Sequence, residues 1–262
     1  MDFSLLTYNT LFSDAVSNIK KVVDRQHPDI VCLQEIDTTE ETFQKVERLG
    51  YRLADYSNAF IKFGRIFGVA TFYNPDVFEF RESKIIFLPK GIIEILVYLL
   101  RIFRTGKKGR TVLKTELVCK KTGQQVSVYN VHLSAHGTNS IRSKQIQIML
   151  KDVGLSDSDS DESVILTGDF NYPFGRKKLE SMMHTYSFRE ATNTIFVTME
   201  GELKHYTLIE KILGSIFFKI MRHKLKLDYI FYRNCSALHA KTIDVDYSDH
   251  FPVFAVFKLP KR

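Results

Sequence analysis

The sequence predicts a mixed α/β fold in which two packed β-sheets are flanked by helices. Three observations point there. Short apolar runs of strand length recur from one end of the chain to the other. Helical periodicity fills only some of the gaps between them, so several neighbouring strands must be joined as hairpins. Strands therefore outnumber helices, which suits two facing sheets better than a doubly wound parallel sheet, where each crossover needs a helix. At 262 residues, without a linker-like stretch, the chain reads as a single domain spanning residues 1–262.

The elements follow in order. Phe3 to Tyr8 reads as a strand and Ser17 to Gln26 as a helix, and His27-Pro28-Asp29 breaks that helix ahead of a strand from Ile30 to Gln34. A helix is predicted over Glu40 to Leu49. Strands follow at Val69 to Tyr73, Val112 to Cys119 and Gln125 to Val131, and a long helix around Ile141 to Val153 leads to a strand at Val164 to Leu166. Leu227 to Tyr232 and Val253 to Leu259 are the last strands. The run from Ser156 to Ser163 is acidic and serine-rich without an apolar anchor, and is expected to be a mobile surface loop with no assigned function.

Lysine and arginine exceed aspartate and glutamate by 37 to 30, an excess that favours an anionic partner such as nucleic acid or a lipid surface, although ordinary surface charge explains it equally well. Cys32, Cys119 and Cys235 are odd in number and widely spaced, so no disulfide or zinc framework is read. The N-terminus opens on a strand with no basic-then-apolar leader, which argues for a cytoplasmic protein. Oligomeric state is not legible.

Polar residues cluster where strands end: Asn9, Glu35, His132, Asp169, Asn171, Asp228 and Asp249, with His250 adjoining the last. Buried strands have no use for carboxylates, so acids, amides and imidazoles at their ends suggest a constructed site. Singly, each has a bland reading: Asn9 as a turn residue, Glu35 as a helix cap, Asp228 as a strand-end hydrogen bonder, His132 as a satisfied core histidine.

Together the clusters form six blocks, Thr7-Tyr8-Asn9, Leu33-Gln34-Glu35, Asn130-Val131-His132-Leu133, Gly168-Asp169-Phe170-Asn171, Leu227-Asp228-Tyr229 and Ser248-Asp249-His250. Their order resembles that of the endonuclease/exonuclease/phosphatase superfamily, and the match runs from Thr7 to Pro252. The resemblance implies a four-layered α/β sandwich and hydrolysis of a phosphoester with a divalent metal, usually Mg2+, with Mn2+ able to substitute. It assigns Glu35 as the principal metal ligand, with Asn9 beside it and Asp249 completing the shell. It assigns His250 to activating water or bracing the phosphate, Asp228 to fixing the tautomer of His250, and leaves either Asp169 or His250 as general base. Asn171 would donate to phosphoryl oxygens, and His132 would contact the phosphate or protonate the leaving group. Arg142 and Arg176 can fork onto phosphate or be exposed surface arginines. The second glutamate that deoxyribonuclease-like members place between Tyr51 and Ile66 has no counterpart, which weakens a two-metal variant.

Specificity lies in the loops. The tryptophan-bearing block of apurinic-site endonucleases is replaced by Lys224-Leu225-Lys226-Leu227, and the block preceding the equivalent aspartate in inositol polyphosphate 5-phosphatases is absent. His132-Leu133-Ser134-Ala135-His136-Gly137 loosely resembles the 5′-tyrosyl-DNA phosphodiesterases. The favoured expectation is a phosphodiesterase acting on nucleic acid. The runner-up is a lipid-headgroup phosphodiesterase resembling neutral sphingomyelinases, meeting an anionic membrane surface through the apolar, basic-flanked stretches Ile92 to Phe103 and Ile209 to Met221. Such stripes more often pack on their own domain's core or self-associate, their basic flanks serve equally well against a nucleic-acid backbone, and the first is too short for a span of about 20 residues. A third reading, a catalytically silent binding module, is disfavoured because every expected metal and phosphate position carries a competent side chain.

Overall fold

The computed structural model describes residues 1–62, 64–91, 110–135, 137–156, 162–200 and 224–261. In chain order its principal elements are β1 (Asp2–Asn9), α1 (Ile19–Gln26), β2 (Ile30–Asp37), α2 (Glu40–Glu47), β3 (Arg52–Lys62), β4 (Arg65–Tyr73), β5 (Phe78–Phe87), β6 (Thr111–Cys119), β7 (Gln125–His132), α3 (Asn139–Ser156), β8 (Ser163–Asp169), α4 (Arg176–Thr185), β9 (Arg189–Glu190), β10 (Asp228–Arg233), β11 (Ser236–Thr242) and β12 (Val253–Lys258). The strands form two six-stranded sheets, ordered β11-β12-β1-β2-β4-β3 and β5-β6-β7-β8-β10-β9.

Alternation along the strands builds the layers. Phe3, Leu5, Ile30 and Cys32 of the first sheet meet Leu117, Val126, Val128, Ile165 and Ile230 of the second in a core between them. The opposite-facing Leu6, Tyr8, Val31 and Leu33 pack under α1 and α2 through Val22, Val23, Phe43 and Val46. On the far side, Val112, Tyr129, Leu166 and Phe231 pack under α3 and α4 through Ile146, Met149, Leu179 and Met183. The order is helix, sheet, sheet, helix, as expected.

Each sheet contains a parallel pair, β1 with β2 and β7 with β8, the second strand reached through α1 or α3. The carboxyl ends of these four strands lie along the rim where ligand crevices form in sheets with parallel pairs. Register makes this exact at the residue level: Asn9 is level with Gln34, His132 with Asp169, and Asp169 with Asp228.

The structure adds elements that the sequence does not announce. Ser17 to Ile19, predicted helical, straddle a 3-10 turn (Asp14–Asn18) and the start of α1. β3, β5, β9, β11 and α4 were not expected. The stretches Ile92 to Phe103 and Ile209 to Met221, and residues 157–161 of the acidic run, lie outside the described residues, as does His136. No helix among the described residues is long and apolar enough to cross a membrane, and the three cysteines are unpaired thiols.

Candidate active site

β2 brings Glu35 to the rim by breaking its own alternation. Cys32 faces the inter-sheet core and Leu33 the α1/α2 side, so unbroken pleating would send residue 35 outward with Leu33. A bulge between Gln34 and Ile36 intervenes, Ile36 takes the outward place, and Glu35 adopts a left-handed φ of 53°. Gln34, fully buried, reaches across to the second sheet, its side-chain amide donating to Asn130 Oδ1 at 2.8 Å and to the Thr7 hydroxyl at 3.0 Å.

Asn9, at the end of β1, donates through Nδ2 to Asp169 Oδ2 at 3.0 Å and accepts the Leu11 N–H at 3.1 Å. Asp169 ends β8. Asn171 lies in a left-handed turn two residues on, φ 49°, so that its backbone N–H meets Asp169 Oδ1 at 2.8 Å and its Nδ2 meets Oδ2 at 2.9 Å. Gly168 permits this end of the strand: its φ is 129°, and a Cβ there would stand 2.1 Å from the Val131 carbonyl oxygen of the neighbouring strand.

Asp228 opens β10 opposite Asp169, and its Oδ2 is 2.8 Å from Nδ1 of His250, which arrives from the first sheet in the loop before β12. Ser248 braces that loop, donating to the Asn9 carbonyl at 2.8 Å and accepting the His250 N–H at 3.2 Å. The other ring nitrogen, Nε2, faces Asp169 Oδ2 at 3.9 Å. His132 Nε2 lies 3.7 Å from both Glu35 Oε1 and Asp169 Oδ2.

Burial sets the protonation states. Desolvation first, and then the charge of Asp249, push the Glu35 carboxyl up to about 7, with Arg110 opposing. Burial likewise raises Asp169 to about 6, against the pull of His250 and with the push of Asp228. Burial alone would lower His250, but the Asp228 carboxylate, its hydrogen bond, Asp169 and Asp249 carry it well above the ordinary histidine range. His132 moves the other way, well below that range, through burial and then the positive charges of Arg110 and His250. Neutral His132 makes its contacts with Glu35 and Asp169 polar rather than ionic.

The structure thus gathers Asn9, Glu35, His132, Asp169, Asn171, Asp228, Asp249 and His250 at one rim. Arg142 and Arg176 are engaged elsewhere. Arg142 is buried, donating to the carbonyls of Ser134 and Ala135 and to Asn139, and so shapes the turn after β7. Arg176, the first residue of α4, donates to Glu180, Glu190 and the Asn193 carbonyl. The arginine that does reach the site is Arg110, immediately before β6. Its Nη1 lies 3.1–3.2 Å from both ring nitrogens of His132, and its guanidinium stands 5.3 Å from the centroid of Phe60, which is edge-on to His132. In the sequence it is one more cation after Arg104, Lys107 and Lys108, with no signal of its own.

The donor set suits a hard dication. Asp169 and Asp249 are buried beside the part-buried Glu35, and the negative charges of both raise the Glu35 carboxyl, as expected where anions are gathered together. Among the described residues no three Asp, Glu, His or Cys side chains form a closed metal cage. A hard dication is often held by only one or two carboxylates while it keeps several waters and takes substrate oxygens.

The sequence profile described as the Endonuclease/Exonuclease/phosphatase family matches residues 6–250. Among solved structures, the human Nocturnin catalytic domain superposes with a TM-score of 0.71 at 19% identity, covering 99% of this chain and 95% of that one. A mannosyl-6-phosphatase from Bacteroides thetaiotaomicron gives 0.70 at 16% identity over 97% and 99% of the two chains. ANGEL2, a 2′,3′-cyclic phosphatase, bound to adenosine-2′,3′-vanadate, gives 0.72 at 16% over 99% and 96%. Sequence comparison with curated proteins finds no match. At these identities the superpositions speak for the fold.

Proposed function

Because this chain belongs to the endonuclease/exonuclease/phosphatase family and is a phosphoester hydrolase, we propose that it is a Mg2+-dependent phosphodiesterase acting on nucleic acid. The observation that carries the chemistry is the His250–Asp228 pair at 2.8 Å beside the part-buried Glu35 and buried Asp169 carboxylates. Glu35, Asn9 and Asp249 would hold the ion. An ion held there would supply positive charge against the phosphate and the leaving group.

The protein's own groups divide the remaining work. Asp169, raised to about 6, is ionised at neutral pH yet basic enough to accept a proton from water, and the amides of Asn9 and Asn171 fix its orientation. His250, held as imidazolium by Asp228, turns Nε2 toward the reacting phosphoryl group as a charged donor. This favours Asp169 over His250 as the base. Neutral His132 acts as a phosphate contact rather than a leaving-group acid, and Arg110 beside it adds a fixed positive charge.

Three features support a nucleic-acid substrate. Formal net charge is +7. Phe174, three residues after Asn171, and Phe196 are 60% and 74% exposed, offering ring faces to unstacked bases. The structurally similar ANGEL2 holds an adenosine derivative.

The test is hydrolysis of single-stranded DNA and RNA, a phosphotyrosyl-DNA and sphingomyelin, with Mg2+, Mn2+ or chelator. Mg2+-supported cleavage of a nucleic acid is expected. Glu35→Gln should abolish it with the fold retained, and His250→Ala should lower kcat far more than it raises KM. Full activity in both variants, or turnover of sphingomyelin alone, would overturn the assignment.

A further inference from the structure

The two halves of the histidine–aspartate pair come from different sheets, and residues 198–200 tie them together. Thr198 is fully buried. Its hydroxyl oxygen accepts two backbone N–H groups, from Leu227 at 2.9 Å and from Asp228 itself at 3.0 Å. Its carbonyl accepts the Phe251 N–H at 2.7 Å, one residue beyond His250. The next two residues continue the tie: Met199 bridges both Leu225 and His250, and the Glu200 N–H meets the Asp249 carbonyl at 2.9 Å. Thr198 therefore grips the backbone on both sides of the pair, Asp228 through its side chain and the His250 loop through its main chain.

From this arrangement, and resting on the function proposed above, we infer that Thr198 is a positioning residue that sets the register between Asp228 and His250. The two N–H groups it satisfies stand at the entry to β10, where Asp228 changes from loop to strand. Without the hydroxyl they have no partner at a buried position, and the chain must shift to find one. That shift falls on the Asp228 carboxylate, because the second N–H is its own. Serine keeps the oxygen, whereas valine keeps the shape without it.

The test uses the full chain, Mg2+ and bis(p-nitrophenyl) phosphate, with Thr198→Val, Thr198→Ser and Asp228→Asn alone and combined. Thr198→Val is expected to lower kcat about 10²-fold, the cost of a small displacement of a catalytic group, with KM changed less than about threefold. Thr198→Ser should stay within about threefold of the unmodified protein, and Thr198→Val should add almost nothing in the Asp228→Asn background. An independent readout is the Nδ1-bound imidazole proton of His250 in protein labelled with 15N-histidine, assigned by its loss in Asp228→Asn. It should shift or broaden in Thr198→Val and persist in Thr198→Ser.

An unchanged kcat and an unmoved resonance in Thr198→Val would overturn the inference, as would a loss of equal size with and without Asp228. If valine prevents folding, Thr198→Ala removes the same oxygen with less bulk. Should neither fold, the residue is architectural and the inference fails. Failure of the unmodified protein to cleave any phosphoester defeats the proposed function instead, and leaves the resonance to judge Thr198.

Discussion

Glu35 and Asn171 both hold left-handed backbone angles, 53° and 49°, which residues with a Cβ seldom adopt, asparagine more readily than glutamate. Each such residue costs on the order of 1–3 kcal/mol, so surrounding contacts must impose it, and the return is aim. Glu35 is turned out of the pleat into the rim, and Asn171 curls back to hold Asp169 with two hydrogen bonds. Arg110 supplies aim of another kind, since its planar fork lies against neutral His132 and the Phe60 ring. Arg110→Ala should reduce kcat/KM by about 10- to 100-fold, and Arg110→Lys should restore only part of it, because a point charge cannot reproduce the fork. Equal activity of Arg110→Ala and the unmodified protein, measured as initial rates with Mg2+, would remove it from the site. The polar strand ends were legible because apolar runs that stop at Asn9, Glu35 or Asp169 have no packing reason to do so. Arg110 was not, because a cation following other cations carries no such contrast.

At the scale of elements, β2 depends on its neighbour for the bulge that aims Glu35. Gly68 of β4 pairs with Ile36 on one side and Asn58 of β3 on the other, and register slips on both sides of it, between Gln34 and Ile36 and between Asn58 and Phe60. The strands crowd there: a Cβ on Gly68 would stand 1.9 Å from the Ser57 carbonyl oxygen, a backbone atom that cannot swing away. Gly68→Ala is therefore expected to cost about 3 kcal/mol in urea unfolding and to depress Mg2+-supported turnover beyond that loss. A variant with unaltered stability would mean that the bulge does not need the close approach. The same neighbourhood explains which strands the sequence concealed. β1, β2, β4, β6, β7, β8, β10 and β12 are flanked by strands on both sides, and their apolar runs stand out. The four that were missed, β3, β5, β9 and β11, are the edges of the two sheets. Edge strands carry charge and exposed positions, as in Phe78–Phe87 and Ser236–Thr242, so period-two alternation fades where it is most needed. β3 carries two bulges besides, each of which resets the phase.

Across the whole molecule the site is a seam. Asn9 and Gln34 of one sheet hydrogen-bond Asp169 and Asn130 of the other, and His250 crosses to Asp228, so binding chemistry and inter-sheet cohesion share the same atoms. The shared atoms make stability depend on pH and metal together. Glu35 sits at about 7 against an ordinary 4.5, Asp169 at about 6 against 3.8, and His250 well above 6.5. In each case the folded state binds its proton more tightly than the unfolded chain does. The contribution is therefore complete below the ordinary value of each group and is lost as pH rises through the folded one. As far as Glu35, Asp169 and His250 decide it, chelated protein should melt at a lower temperature at about pH 7.5 than at about pH 5, with His132, held below its ordinary range, acting in the opposite direction. Magnesium selects the ionised carboxylates, so the stabilisation that it gives, read as a rise in Tm, should be larger at the higher pH, reaching about 2.7 kcal/mol when it is present at about 100 times its Kd. Melting curves at the two pH values, with Mg2+ and with chelator, make the comparison. A Mg2+ effect that is equal at both, or larger in acid, would mean that the ion does not bind at the raised Glu35 carboxyl, and would remove Glu35 from the proposed metal site.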